Sequence, residues 1–205
     1  SIFEKITIAY PQNLETKMVE IKNIDRLDKK ITLSDLAQKM PSLSFLKFVP
    51  DNSIFIFPSV QTDESGGDYS FSSFDNFKYA VVDSGFVNLK IKNNTSVPVD
   101  VDFIIRDDQN ILLDIDVNDL APDEIYSVKE DLKNKTIYSD LKINISKFTT
   151  PGSSGQPVAI SPSTDNIEIT FEMEDLIIRE GEINTSEITE LSESNVDIDL
   201  SFYDS

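Results

Sequence analysis

The sequence predicts an all-β protein, built around an immunoglobulin-like antiparallel sandwich with an additional β-rich N-terminal unit and one short helix. Three observations support this. Apolar residues alternate with polar ones at a period of two along most of the chain, which is the pattern of half-buried strands. The apolar phase is filled by Val, Ile and Phe, residues that suit a pleated surface. Turn-forming Asn, Asp, Gly, Pro and Ser residues separate these runs at intervals of about 8–12 residues, as in sandwiches.

The elements follow in order. Residues 2–10 form the first expected strand, ended by Pro11, and residues 17–21 a short second one. Residues 34–40 form the single expected helix, with Thr32 or Ser34 as N-cap and Pro41 as its stop. Residues 53–60 are strongly β-prone, with Pro58 confining their end to an edge or bend. Residues 63–68 read as a turn. The change of aromatic spacing between Phe71 and Phe74 marks a bulge or break. Strands are then expected at 86–92, 97–105, 111–117, 125–128 and, as one long element, 136–146. Residues 150–156 are a loop, followed by strands at 166–171 and 176–178. Grouped by pattern, residues 83–180 form the sandwich and residues 1–82 the N-terminal unit. Residues 181–205 are a polar linker (181–194) and a terminal alternating strand, which is a candidate to pair with the first strand.

Composition narrows the chemistry. The 205-residue chain carries 37 Asp and Glu against 18 Lys and Arg, a net charge of −19. That field repels phosphate backbones and anionic lipid surfaces, so nucleic acid is not an expected partner. Histidine is absent, which removes the usual general base near neutral pH and the commonest transition-metal ligand. Cysteine is absent too, and with it thiol chemistry, disulfides and Cys-based metal sites. The large core groups must come from 13 Phe and 6 Tyr, because there is no Trp. No apolar run reaches the roughly 18 residues that would span a bilayer. The chain opens directly on a strand-like run with no signal peptide, as expected of a mature chain or of a fragment of something longer.

Residues 85–99 read as a small residue, a strand, then Asn93-Asn94 and, four residues later, Pro98-Val99 opening the next strand. This cassette resembles the LEA14/WHy-type immunoglobulin-like domain. It also resembles a set of secreted or outer-membrane-associated proteins of Bacteroidota-type bacteria, which are similar again over residues 151–162, where a Pro/Gly-rich turn precedes Pro157-Val158. The resemblance covers residues 83–180 and implies a sandwich fold and a secreted or cell-envelope location; the sandwich pattern, the missing catalytic residues and the solubilising charge add the expectation of a protein partner there. The resemblance carries no catalytic residues to transfer.

Each candidate constellation has a plainer alternative. Asp-x-Asp recurs at Asp100/Asp102, Asp114/Asp116 and Asp197/Asp199. Alternating with Val, Ile, Phe and Leu, these aspartates read as solvated strand faces that also guard sheet edges. The other reading is Ca²⁺, a hard cation needing six to eight oxygen ligands. Its best candidates are Asp107, Asp108 and Asn110, which share a turn. Tyr69, Phe71 and Phe74, with Phe77 and Tyr79, read as core, the alternative being a ligand or partner surface. Phe45, Phe48, Phe55 and Phe57 also read as core. Asn-x-Ser/Thr acceptors at Asn93, Asn94, Asn134, Asn144 and Asn184 are what chance gives in a chain of this composition. Neither Gly66-Gly67 nor the Gly152–Gly155 stretch opens a helix, so no phosphate loop is present. The expected function is a non-enzymatic structural or protein-interaction module. The alternatives are an accessory domain binding carbohydrate or an apolar molecule, and a glycosidase working through paired carboxylates.

Overall fold

The computed structural model describes residues 3–6, 19–21, 24, 26–61, 64–75, 77–108 and 110–184. The chain runs β1 (Phe3–Ile6), β2 (Val19–Ile21), β3 (Leu27–Thr32), helix α1 (Leu33–Lys39), a 3-10 helix (Pro41–Phe48), β4 (Ser53–Ile56), β5 (Gly67–Ser70) and β6 (Phe77–Asn94). It continues through β7 (Val99–Arg106), β8 (Ile111–Leu120), β9 (Ile125–Asp131), β10 (Thr136–Tyr138), β11 (Lys142–Thr149), β12 (Pro157–Ile160) and β13 (Asn166–Asn184).

Two long strands set the frame. β6 and β13 pair antiparallel, and at about 3.3 Å per residue each runs roughly 60 Å. β3, β2 and β1 follow one another along the outer edge of β13, and β9 and β10 along the outer edge of β6. The second sheet has the order β5-β11-β7-β8. The chain changes sheet between β6 and β7, β8 and β9, and β10 and β11, and returns to β13 by way of β12. The result is an all-β antiparallel sandwich. Its core takes one face of every long strand: Val99, Val101, Phe103 and Ile105 of β7 are buried, as are Leu89 and Ile91 of β6 and Ile167, Ile169 and Phe171 of β13. The period-two pattern predicts this alternation residue by residue.

Where β13 bends at residues 174–177, its register against β6 shifts, and Asp175 takes a left-handed φ of 53°. Gly85 faces this bend with φ 146°. A Cβ there would lie 3.1 Å from the Leu176 Cα, so the close approach of the two backbones requires glycine.

Helix α1 starts at the expected cap. The Thr32 hydroxyl accepts from the Asp35 N–H at 3.0 Å, and the Asp35 carboxylate accepts in return from the Thr32 N–H at 2.9 Å, a reciprocal capping box. Leu33, Leu36 and Ala37 turn into the core. Pro41 does end α1, but it also opens the second, 3-10 helix at a position where its missing N–H costs nothing. The expected 53–60 strand is shorter, ending at Ile56, with Val60 held by a separate bridge to Thr150.

Other expectations need correction. The single strand expected at 136–146 is two, β10 in the first sheet and β11 in the second. Residues 139–141 make the crossing, where Ser139 N–H donates to Lys78 C=O and Leu141 C=O accepts from Phe71 N–H. Both halves are β-prone, so periodicity alone does not mark the change of sheet. β6 runs unbroken through Val82 and Asp83, the expected domain boundary, and β3 from the N-terminal portion pairs with β13. Residues 181–184, expected as linker, continue β13 and pair with β1. The expected terminal strand near 195–203 lies outside the described residues.

Candidate functional site

The β7–β8 turn holds Asp107, Asp108 and Asn110. Asp107 is buried. Its carboxylate accepts from the Asn110 N–H at 2.7 Å, and its own N–H donates to the Asn110 C=O at 3.1 Å, so the side chain closes the hairpin. Asp108 turns away to Lys142, 2.5 Å distant, and that hydrogen-bonded ammonium holds its carboxyl below the usual range. Two of the expected calcium ligands are thus engaged separately, one by the turn and one by β11. Among the described residues, no three Asp, Glu, His or Cys side chains are grouped as a metal ion would need.

The other aspartates occupy solvated faces. Asp100 accepts from the Asp119 N–H and the Thr149 hydroxyl, Asp102 lies 3.7 Å from Lys147, and Asp114 and Asp116 are exposed on β8. Asp197 and Asp199 lie outside the described residues.

Tyr69, Phe71 and Phe74 are buried and form core rather than a surface for a ligand or partner. Phe71 and Phe74 pack on Phe171 at ring-centroid distances of 6.1 and 6.2 Å, and Phe74 stacks on Phe77 at 5.2 Å. Lys39 covers the Tyr69 ring, its Nζ 3.6 Å from the centroid, and burial pushes the phenol well above its ordinary pKa. The core reading of these rings therefore holds, and their cover comes from α1 and β13.

Asn93, the first Asn of the cassette, is fully buried. Its amide donates to the carbonyls of Val97 and Leu120, both at 2.9 Å. Its side-chain oxygen accepts from the Thr95 N–H at 2.9 Å and the Thr95 hydroxyl at 2.7 Å. Its backbone N–H and C=O bond Glu124 and Asp123. Every polar group of Asn93 is used inside the fold, which makes the motif a structural clasp for the β6–β7 turn and denies Asn93 to a glycan.

Large apolar side chains are exposed at several places, among them Ile111 (61%) and Ile125 (55%) at the starts of β8 and β9, but of the described strands only β4 carries two of them. Among the described strands β4 pairs only with β12, forming a two-stranded ribbon beside the sandwich. Phe55 packs inward, stacked 5.9 Å from the buried Phe57, while Ile54 and Ile56 stand 73% and 55% exposed. Their direct cross-strand partners Ala159 and Pro157 are exposed on the same face. Phe48, expected in the core, is 86% exposed at the end of the 3-10 helix that leads into β4. Its apolarity suggests core, but that short helix buries only Leu43 and Leu46.

Backbone directions show which edge of the ribbon is open. Phe57 donates its N–H to the Ser153 hydroxyl and accepts from the Ser153 N–H, so both its groups face the β12 side. Strand alternation then turns the N–H and C=O groups of Ile54 and Ile56 to the opposite edge. The Ala159 C=O agrees: it points away from β4 and accepts from the Ser96 hydroxyl at 2.7 Å. The far edge of β12 is therefore tied to the β6–β7 turn, whereas no described strand pairs with the edge of β4.

Charge separates this edge from the longer outer strands β8 and β9. Outer strand β8 carries exposed Asp114, Asp116 and Asp119, and outer strand β9 carries exposed Lys129 and Asp131, charges of the kind that discourage edge-to-edge pairing. Residues 52–61 and 148–164, which contain the whole ribbon, include no Asp, Glu, Lys or Arg, in a chain that is 27% charged. The signal was present in the sequence: both phases of 54–57 are apolar, where a half-buried strand has one.

No protein-family model matches the chain, and no curated protein is similar to it at a significant level. Among the described residues, no helix is long and apolar enough to cross a membrane.

Proposed function

We propose that this chain is a non-enzymatic protein-interaction module of a bacterial cell-envelope or secreted protein, with the β4–β12 ribbon as its docking surface. One observation carries the reading: a charge-free strand with exposed Ile54 and Ile56 and an outer backbone edge that no described strand pairs with, on a chain of net charge −19. An unguarded apolar edge is a liability in a protein that has no use for it, and an extended segment added to it gains main-chain hydrogen bonds and side-chain contacts together. The repeated changes of sheet between β6 and β13 support the immunoglobulin-like relationship that the cassette implies, while the secreted or envelope location rests on the resemblance alone. The carboxylates lend no support to a glycosidase, since those traced above serve turns, cross-strand ion pairs and solvated faces.

Selection of a displayed library of extended peptides against the chain tests the reading. Apolar peptides should be enriched, and their binding should fall roughly 100-fold or more in Ile54→Lys, as for loss of a central contact. Peptides that bind the chain and this variant equally well would overturn it.

A further inference from the structure

The proposed docking edge has a geometry that fits one occupant in particular. Ile54 and Ile56 are the residues of β4 that turn both N–H and C=O outward, and Phe55 lies between them. Pro58, the next outward position, has no N–H to offer, so the usable edge is centred on Phe55. An edge of this form is self-complementary. Two copies related by a twofold axis through Phe55 would pair antiparallel, with Ile54 of one opposite Ile56 of the other. In that register each Ile54–Ile56 pair exchanges both of its backbone hydrogen bonds.

Charge selects among partners as well. A cationic segment laid on residues 52–61 would find no counter-charge along the strip, while a carboxylate-rich one would meet the field of a chain at −19. A neutral apolar strand meets no unpaired charge on the strip itself, and a second copy of this chain brings one, against the repulsion of two chains each at −19. The side chains to be covered, Ile54, Ile56, Ala159 and Pro157, form the same face on both copies, which is the requirement of an isologous contact.

We infer that the chain self-associates through antiparallel pairing of β4 with β4 of a second copy, joining two ribbons into a continuous four-stranded sheet; this rests on the docking reading above. The contact is small, so the dimer is weak. Its salt dependence has a definite sign. No ion pairs lie along the paired strands, whereas the net charges of the two copies repel, so added salt screens the repulsion and tightens the dimer.

Sedimentation equilibrium of the full chain at about 0.05 M and about 0.5 M NaCl tests this. The expected result is an average mass that climbs with concentration from 23.1 kDa toward twice that value, with association at least roughly tenfold tighter at high salt. Ile54→Lys should weaken association by roughly 100-fold or more. Ile56→Pro, which removes an outward N–H and leaves the β12 ladder its donors, should do the same, and Ser127→Lys on β9 should change nothing. If Ile56→Pro fails to fold, Ile54→Lys still decides. A chain that remains monomeric at every concentration and salt overturns the inference, as does a dimer that both variants leave intact. A monomer that still loses its selected peptides in Ile54→Lys overturns self-pairing alone and leaves the docking reading standing.

Discussion

The β6–β7 turn and the β4–β12 ribbon are neighbours joined by one hydrogen bond, from the Ser96 hydroxyl to the Ala159 carbonyl, and they are opposites. The turn buries a polar side chain and satisfies all of its groups. The ribbon exposes apolar side chains and turns backbone groups to an edge that no described strand pairs with. The motif that looked like a signature, Asn93-Asn94, is therefore architecture. The strand expected at residues 53–60 sends Phe55 and Phe57 to the core, as expected, while Ile54 and Ile56 carry the surface. A buried polar group is costly unless it is fully paired, so its presence reports a structural constraint. An exposed apolar edge is costly in another way, through unwanted association, so its presence reports a use.

Breaking the turn gives the largest expected effect. Asn93→Ala takes away the acceptor of the Thr95 N–H and the side-chain donor to the Leu120 carbonyl, leaving the Val97 carbonyl its bond from the Thr95 hydroxyl, and should destabilise the fold by about 3 kcal/mol, measured by urea denaturation. Ser96→Ala cuts the link between the two regions. It should cost about 1 kcal/mol at most, and it should raise amide exchange in β12 more than in β6. On the ribbon the expectation reverses. Ile54→Lys should alter stability by less than about 0.5 kcal/mol, because the side chain is mostly in water, while association is lost. A melting temperature that falls as far as in Asn93→Ala would mean that Ile54 is structural and would erase the contrast.

The smallest effect concerns Asp165, next to the ribbon, whose C=O accepts from Leu33 N–H at the start of α1. Partial burial raises its carboxyl above the ordinary 3.8, in spite of a hydrogen bond from Ser161 N–H. The protonated form is thus the one the fold favours. Its contribution is fully present below about pH 3.8 and is lost as pH rises through the raised folded value. Asp165→Asn should therefore gain stability at neutral pH, by less than about 0.5 kcal/mol after solvent screening, and the gain should vanish in acid. Denaturation at pH 7 and pH 3 checks the sign.

Much of the fold was legible in the sequence because strand alternation is a local pattern. Val99, Val101, Phe103 and Ile105 are buried where period two places them, and Thr32 caps α1 with Asp35 as its partner. What was illegible depends on where strands go after they form. Nothing local separates residues 136–138 from 142–146, although they join different sheets, and nothing local shows that β6 continues through residue 82. For the candidate residues, too, only the tertiary structure chose between the core reading, which holds for the three rings, and its alternative. Tyr69, Phe71 and Phe74 are covered by tertiary neighbours, and Asp107 and Asp108, adjacent in sequence, point to different partners. The ribbon could have been found from its missing charges together with the two apolar phases of residues 54–57, an absence that a search for motifs passes over.

The open edge of β4 is most directly tested by amide exchange at single residues. In dilute protein the Ile54 and Ile56 amides should exchange much faster than the Phe57 amide, which is bonded to Ser153, and they should gain protection as concentration rises. Protection of Ile54 and Ile56 that already equals that of Phe57 in dilute solution would show the edge to be covered within one molecule and would contradict the account.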